Sequence, residues 1–183
     1  MERREIRRKR PEKADIRYGG SCMKIYLCGF MGCGKSRIGR EFAKRSGMTF
    51  ADLDRYIVEH EGMKIPEIFE KYGEPHFREL EAKYISEMPD GSIVALGGGA
   101  IINENTAKTA KETGKVVFLD ADFEVCYGRI KNDSNRPLAY NNPKEKVKEL
   151  YDTRKPIYAE RADIVIKADG TPAQIIEKIR KAL

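Results

Sequence analysis

No apolar run in this 183-residue chain comes near the roughly 18 residues that a membrane-crossing helix needs, and 35% of the residues are charged. We therefore expect no helix that spans a bilayer. Cysteine is scarce: Cys22, Cys28, Cys33 and Cys126 form neither a C-x-x-C nor a paired framework, which argues for reduced thiols in a cytoplasm. Histidine occurs twice, as His60 and His76, and neither falls in a chemistry-bearing motif; both are expected at the surface or in packing. The first 22 residues lack the apolar stretch of a secretory signal, and their four acids (Glu2, Glu5, Glu12, Asp15) argue against a transit peptide. Internal repeats and low-complexity segments are also missing.

The formal charge of +6 is unevenly spread. Residues 1–22 hold eight Lys or Arg against four acids, so the remainder is close to balanced. We read 1–22 as a basic, disordered arm, with Met23 as a possible second start, and 23–183 as one folded domain. A near-neutral folded part does not suggest nucleic acid as a partner. We expect a cytoplasmic monomer that handles small molecules.

From Lys24 onward, β-rich and helix-patterned segments alternate. "KIYLC" (24–28), "TFADLD" (49–54), "SIVAL" (92–96), "KVVFLDA" (115–121) and "ADIVIKA" (162–168) read as strands. Helices are expected over 35–47, in "IPEIFEKYG" and "EPHFRELEAKYISEM", and near 104–112, 122–131, 143–160 and 172–182. In the long one, Phe77, Leu80, Tyr84, Ile85 and Met88 share a helical face. The alternation predicts an α/β fold with a parallel sheet covered on both faces.

Between the first strand and first helix lies "GFMGCGKS" (29–36), which satisfies G-x-x-x-x-G-K-[ST] in the right structural context. Backbone N–H groups across Gly32, Cys33, Gly34, Lys35, Ser36 and Arg37 can cradle the phosphates of ATP at the positive end of the helix. Lys35 would reach the β- and γ-phosphates and the Ser36 hydroxyl would ligate Mg²⁺. The phosphate loop names the donor and leaves the acceptor open.

Acceptor chemistry is sought at the carboxyl ends of the other strands. Asp52 and Asp54 close the second strand, where alternation would aim both carboxylates at the loop, one towards Mg²⁺ and one towards an acceptor hydroxyl. A D-x-D there also suits a turn or an N-cap. "LGGGA" places Gly97, Gly98 and Gly99 directly after the third strand, either to let backbone lie against a small ligand or simply to make a tight βα turn. Arg78, Arg136 and Arg154 offer planar forks that suit carboxylates and phosphates.

In these segments the chain from about 24 to 182 resembles shikimate kinase. "GFMGCGKSRIG", "FADLD", "IPEIF", "GEPHFRELE", "GGG", "RPL" and "RKPIY" look like that family's successive signatures, in order. The resemblance implies a three-layer αβα P-loop kinase like nucleoside monophosphate kinases, with strand order 2-3-1-4-5. It implies transfer of the γ-phosphoryl group of ATP to the 3-hydroxyl of shikimate, the fifth step towards chorismate and the aromatic amino acids. By the same carry-over Asp54 binds shikimate hydroxyls and is the candidate base, and Asp52 acts near Mg²⁺ through water. Arg78 and Arg154 would grip the carboxylate, Gly97 to Gly99 line the ring, Arg136 closes over the phosphates and Arg129 stacks on adenine. Residues 132–143, polar and turn-rich, would form the lid. Ala139 stands where that family usually has leucine. A nucleoside monophosphate kinase, or an ATP-binding module using the basic arm, are the competing readings.

Overall fold

A run of consecutive apolar residues becomes a strand when both of its faces are covered, and "KIYLC" does so at the centre of the molecule. A computed structural model describes residues 17–18 and 21–183. Strands β1 (Lys24–Cys28), β2 (Thr49–Asp52), β3 (Ser92–Ala95), β4 (Gly114–Asp120) and β5 (Ile164–Lys167) form one parallel sheet in the order 2-3-1-4-5. Every residue of β1 is buried, whereas edge strand β5 alternates and leaves Val165 and Lys167 exposed. Register pairs Ile25 with Ile93 and Lys115, so the Ile25, Tyr26 and Leu27 side chains sit within a continuous core. The expected strand order is the observed one.

Helices flank the sheet in an αβα arrangement: α1 (Lys35–Ser46), α2 (Leu53–Glu61), α3 (Ile65–Tyr84), α4 (Glu104–Thr113), α5 (Phe123–Ile130), α6 (Pro137–Tyr140), α7 (Lys144–Arg161) and α8 (Pro172–Ala182). α1 turns Ile38, Phe42 and Ala43 inward and stops where Gly47 adopts the left-handed conformation. α8 starts with a capping box, in which Thr171 accepts from Gln174 N–H and Gln174 reaches back to the Thr171 N–H. The expected apolar face of Phe77, Leu80, Tyr84, Ile85 and Met88 is buried throughout.

Several ends shift by one or two residues, and three differences from the sequence reading bear on the site. The second strand ends at Asp52 rather than residue 54, because the Asp52 carboxylate caps α2 by accepting from Arg55 N–H at 3.3 Å. The two helices expected over 65–88 form one element bent at Gly73 (φ 82°, ψ 165°), ending at Tyr84 and followed by a single tighter turn, Ile85–Glu87. Residues 132–143 are not all loop, since they contain α6 with Ala139 buried. The expected arm falls largely outside the described residues; within it Arg17–Tyr18 pairs antiparallel with Ser21–Cys22. Among the described residues no helix is long and apolar enough to cross a membrane.

Candidate active site

The chain leaves β1 into a loop that must turn tightly around nothing wider than backbone. Gly32 has φ 83°, and a Cβ there would lie 2.6 Å from the Cys126 carbonyl oxygen. Gly34, also left-handed, is the last residue before α1. Only glycine meets both demands without strain. Lys35 is buried and its Nζ donates to the Gly29 and Phe30 carbonyls at 2.7 and 3.0 Å. Arg129 Nη1 donates to the Gly32 carbonyl at 2.8 Å, which pins α5 against the loop. Gly32 to Arg37 line a cleft of about 1080 Å³ with Arg129, Arg136 and Gly170. Cys33 itself is buried, as are Cys28 and Cys126, all three free thiols; burial pushes the Cys126 thiol up to about 12.

Ser36 opens α1 beside the end of β2, where its hydroxyl donates to Asp52 Oδ2 at 2.6 Å. Asp52 therefore both caps α2 and reaches the phosphate loop. The expected strand alternation does not apply to Asp54, which stands in the first turn of α2. It still faces the same region: Asp54 Oδ2 lies 3.9 Å from Arg136 Nη1. Burial raises the Asp54 carboxyl above its ordinary range, and the neighbouring Asp52 charge adds to this.

Asp54, Arg78, Gly97, Gly98, Gly99, Arg136 and Arg154, which the resemblance placed at one site, line one compartment with Met31, Phe69 and Phe77. Asp52, Lys35 and Ser36 line the adjoining cavity, which Asp54 and Arg136 share. Arg136 borders both of these and the loop-lined cleft, so it stands at their junction. Arg129 lines only the loop-lined cleft among these cavities.

The glycine triplet divides into three roles. A Cβ on Gly97 would run into Glu81 Oε1 and, at 2.5 Å, Asp54 Oδ1. One on Gly99 would run into the Arg78 guanidinium. Gly98 has more room, with Met31 N at an ordinary 3.5 Å, and its carbonyl accepts from Tyr158 Oη and from Arg154 Nη1. Gly97 and Gly99 are thus required by the neighbouring charged side chains, whereas Gly98 is not.

Sequence reasoning missed Glu74, Glu81 and Tyr158. Arg78 donates through Nη1 to Glu81 Oε2 at 2.6 Å and through Nη2 to Glu74 Oε1 at 2.6 Å. Glu74, Arg78 and Glu81 are spaced i, i+4, i+7 within "GEPHFRELE", a single helical face that the sequence displays. Glu81 is fully buried, and burial pushes its carboxyl up to about 7 against the opposing pull of Arg78. Its Oε1 and Asp54 Oδ1 have no hydrogen-bond partner among the described residues. The histidines lie apart, as expected: His60 stacks on Tyr56 and His76 neighbours Glu79.

Comparison with known proteins identifies the family. The family model described as shikimate kinase matches residues 31–183. A shikimate kinase from Sulfurihydrogenibium sp. is 47% identical over 158 residues, covering 85% of this chain and 94% of that protein. The structure of shikimate kinase from Acinetobacter baumannii in complex with shikimate is 37% identical with a TM-score of 0.82, covering 87% of this chain and 91% of the other. Shikimate kinase from Aquifex aeolicus superposes with a TM-score of 0.76 at 36% identity, covering 87% and 95%. A match of this extent and identity makes the chain a member of the shikimate kinase family, an ATP-dependent kinase acting on shikimate.

Proposed function

We propose that the chain carries out this reaction, at the 3-hydroxyl of shikimate, between the phosphate loop and the arginine-lined compartment, with Asp54 and Arg136 at the boundary. The observation that carries this reading is the compartment itself: three arginines, a raised-pKa aspartate and bare glycine backbone face one small cavity adjoining Lys35 and Ser36. A carboxylate suits the Arg78 and Arg154 forks, and ring hydroxyls suit Asp54. With both ends of a small ring held, the acceptor oxygen is presented in line instead of tumbling.

Lys35 leaves its loop carbonyls to neutralise the transferring phosphoryl group, and Arg136 does so from the lid side. Asp54, whose carboxyl titrates above its usual range, orients the acceptor hydroxyl and receives its proton as the bond to phosphorus forms. Arg129 closes the adenine end of the cleft. Mg²⁺ fits the donor set, because the Ser36 hydroxyl and Asp52 carboxylate meet at 2.6 Å as two hard oxygens that can hold the ion directly or through water. Bound there with ATP, it would supply charge neutralisation at the phosphates. Closure of 132–143 excludes water and so suppresses ATP hydrolysis. We also propose a cytoplasmic monomer with no nucleic-acid partner, supported by the buried free thiols and the nearly balanced charge beyond residue 22.

Coupled ADP release with shikimate, gluconate, CMP and AMP as acceptors tests the reading. Turnover confined to shikimate is expected; turnover with CMP or AMP instead would place the chain among nucleoside monophosphate kinases.

A further inference from the structure

Two guanidinium groups that must grip one carboxylate repel each other, and something has to hold them side by side. Arg78 and Arg154 come from different helices, α3 and α7, and their side chains are only 17% and 10% exposed. Both line the acceptor compartment, and both also line a second cleft with Glu74, Pro75 and Ile102. Glu74 lines that second cleft and is absent from the acceptor compartment.

From there a single oxygen, Glu74 Oε1, accepts from Arg78 Nε at 3.2 Å and Nη2 at 2.6 Å and lies 3.8 Å from Arg154 Nη2. Among the described residues it is the one carboxylate that forms an ion pair with both arginines; Glu81 takes only Arg78 Nη1. A guanidinium has five N–H donors, so these bonds still leave Arg78 donors for a ligand. The approach of Glu74 is set by Gly73, whose φ of 82° breaks α3 immediately before it. A Cβ on Gly73 would meet nothing nearer than Pro75 Cδ at 3.5 Å, so the glycine serves the backbone angle and not space. Glu74 then begins the second half of the helix one turn ahead of Arg78, the spacing at which the two side chains meet.

We propose that Glu74 is a positioning residue for the acceptor: it ties Arg78 and Arg154 into one carboxylate clamp from outside the acceptor compartment. The proposal rests on shikimate being the acceptor. Because Glu74 is 40% exposed, water screens its charge and limits its repulsion of the incoming carboxylate. An alternative role for the same contacts, as a carboxylate that competes with the acceptor for the arginines, predicts the opposite sign on affinity.

Glu74→Ala and Glu74→Gln, measured by titration calorimetry with shikimate and by steady-state kinetics, separate these roles. Glu74→Ala is expected to raise the shikimate Kd and KM roughly five- to tenfold, with kcat and the ATP KM within about twofold. Glu74→Gln keeps an acceptor oxygen and is expected to lose less. An analogue bearing hydroxymethyl in place of the carboxylate should bind parent and variants equally, which a general loosening of the pocket would not allow. Unchanged or tighter shikimate binding in Glu74→Ala overturns the clamp, as does an equal loss for the uncharged analogue. Failure of the parent chain to bind shikimate at all would instead overturn the acceptor assignment, and the clamp with it. Thermal melts of both variants confirm folding, and the milder Gln change carries the test should Glu74→Ala not fold.

Discussion

Replacing Glu81 by Gln should change how stability depends on pH, and the structure sets the size of the effect. Glu81 is fully buried, with one oxygen on Arg78 and the other, beside Asp54 and Gly97, without a hydrogen-bond partner among the described residues. Its carboxyl titrates at about 7 in the folded protein against an ordinary 4.5. Between these values the folded chain binds more protons than the unfolded chain, so stability is highest below pH 4.5 and falls as pH rises through 7. At roughly 1.4 kcal/mol per pH unit, the separation amounts to roughly 3 kcal/mol across the window. That is a large part of the about 5–15 kcal/mol that holds a domain together. The assay is urea unfolding of parent and Glu81→Gln at pH 5, 6, 7 and 8. Asp54 is raised in the same direction and its charge also raises Glu81, so the difference between the chains reports Glu81 together with its coupling to Asp54. Parent stability should fall relative to the variant by most of that amount between pH 5 and 8. A difference that stays flat with pH would refute the reasoning, because Glu81 would then be ionised at no cost throughout.

Asp54→Asn should raise the shikimate KM and lower kcat, together by about a hundredfold or more in kcat/KM; unchanged constants would remove Asp54 from the reaction. Gly98→Ala should raise the shikimate KM with ATP affinity nearly intact, since the added methyl meets only Met31 at ordinary contact distance. Gly97→Ala, by contrast, should cost about 1–3 kcal/mol in urea unfolding because its Cβ collides with Asp54 and Glu81. Equal stability of the two alanine variants would contradict this division of the triplet.

The phosphate loop was legible in the sequence because each of its residues is constrained by backbone geometry or charge, and that constraint is local. Strand order and the arginine positions came from the family resemblance; no periodicity brings Arg78 and Arg154 together. Asp54 reaches the region beside Arg136 by a different backbone route from the one expected. Alternation along a strand was expected to aim it at the loop, but the Asp52 cap starts α2 two residues earlier, and the first helical turn aims it instead. The possibility of an N-cap at that D-x-D was visible, although its combination with the Ser36 contact was not. Glu74 and Glu81 share a helical face with Arg78 in a stretch singled out for its arginine. Charges at helical spacing read by default as a solvated face, and only tertiary burial distinguishes Glu81 from such a face. The bend at Gly73 and the short helix α6 depend on what packs around them, for which the local pattern carries little signal.

Phosphorus and proton NMR of the product formed from ATP and shikimate test the central claim most directly. Stoichiometric conversion to an ester with phosphorus coupled to the ring proton at carbon 3 is the expected result. A well-folded chain that leaves shikimate unmodified, or that esterifies a different hydroxyl, would contradict the geometry proposed for Asp54, Arg78 and Arg154.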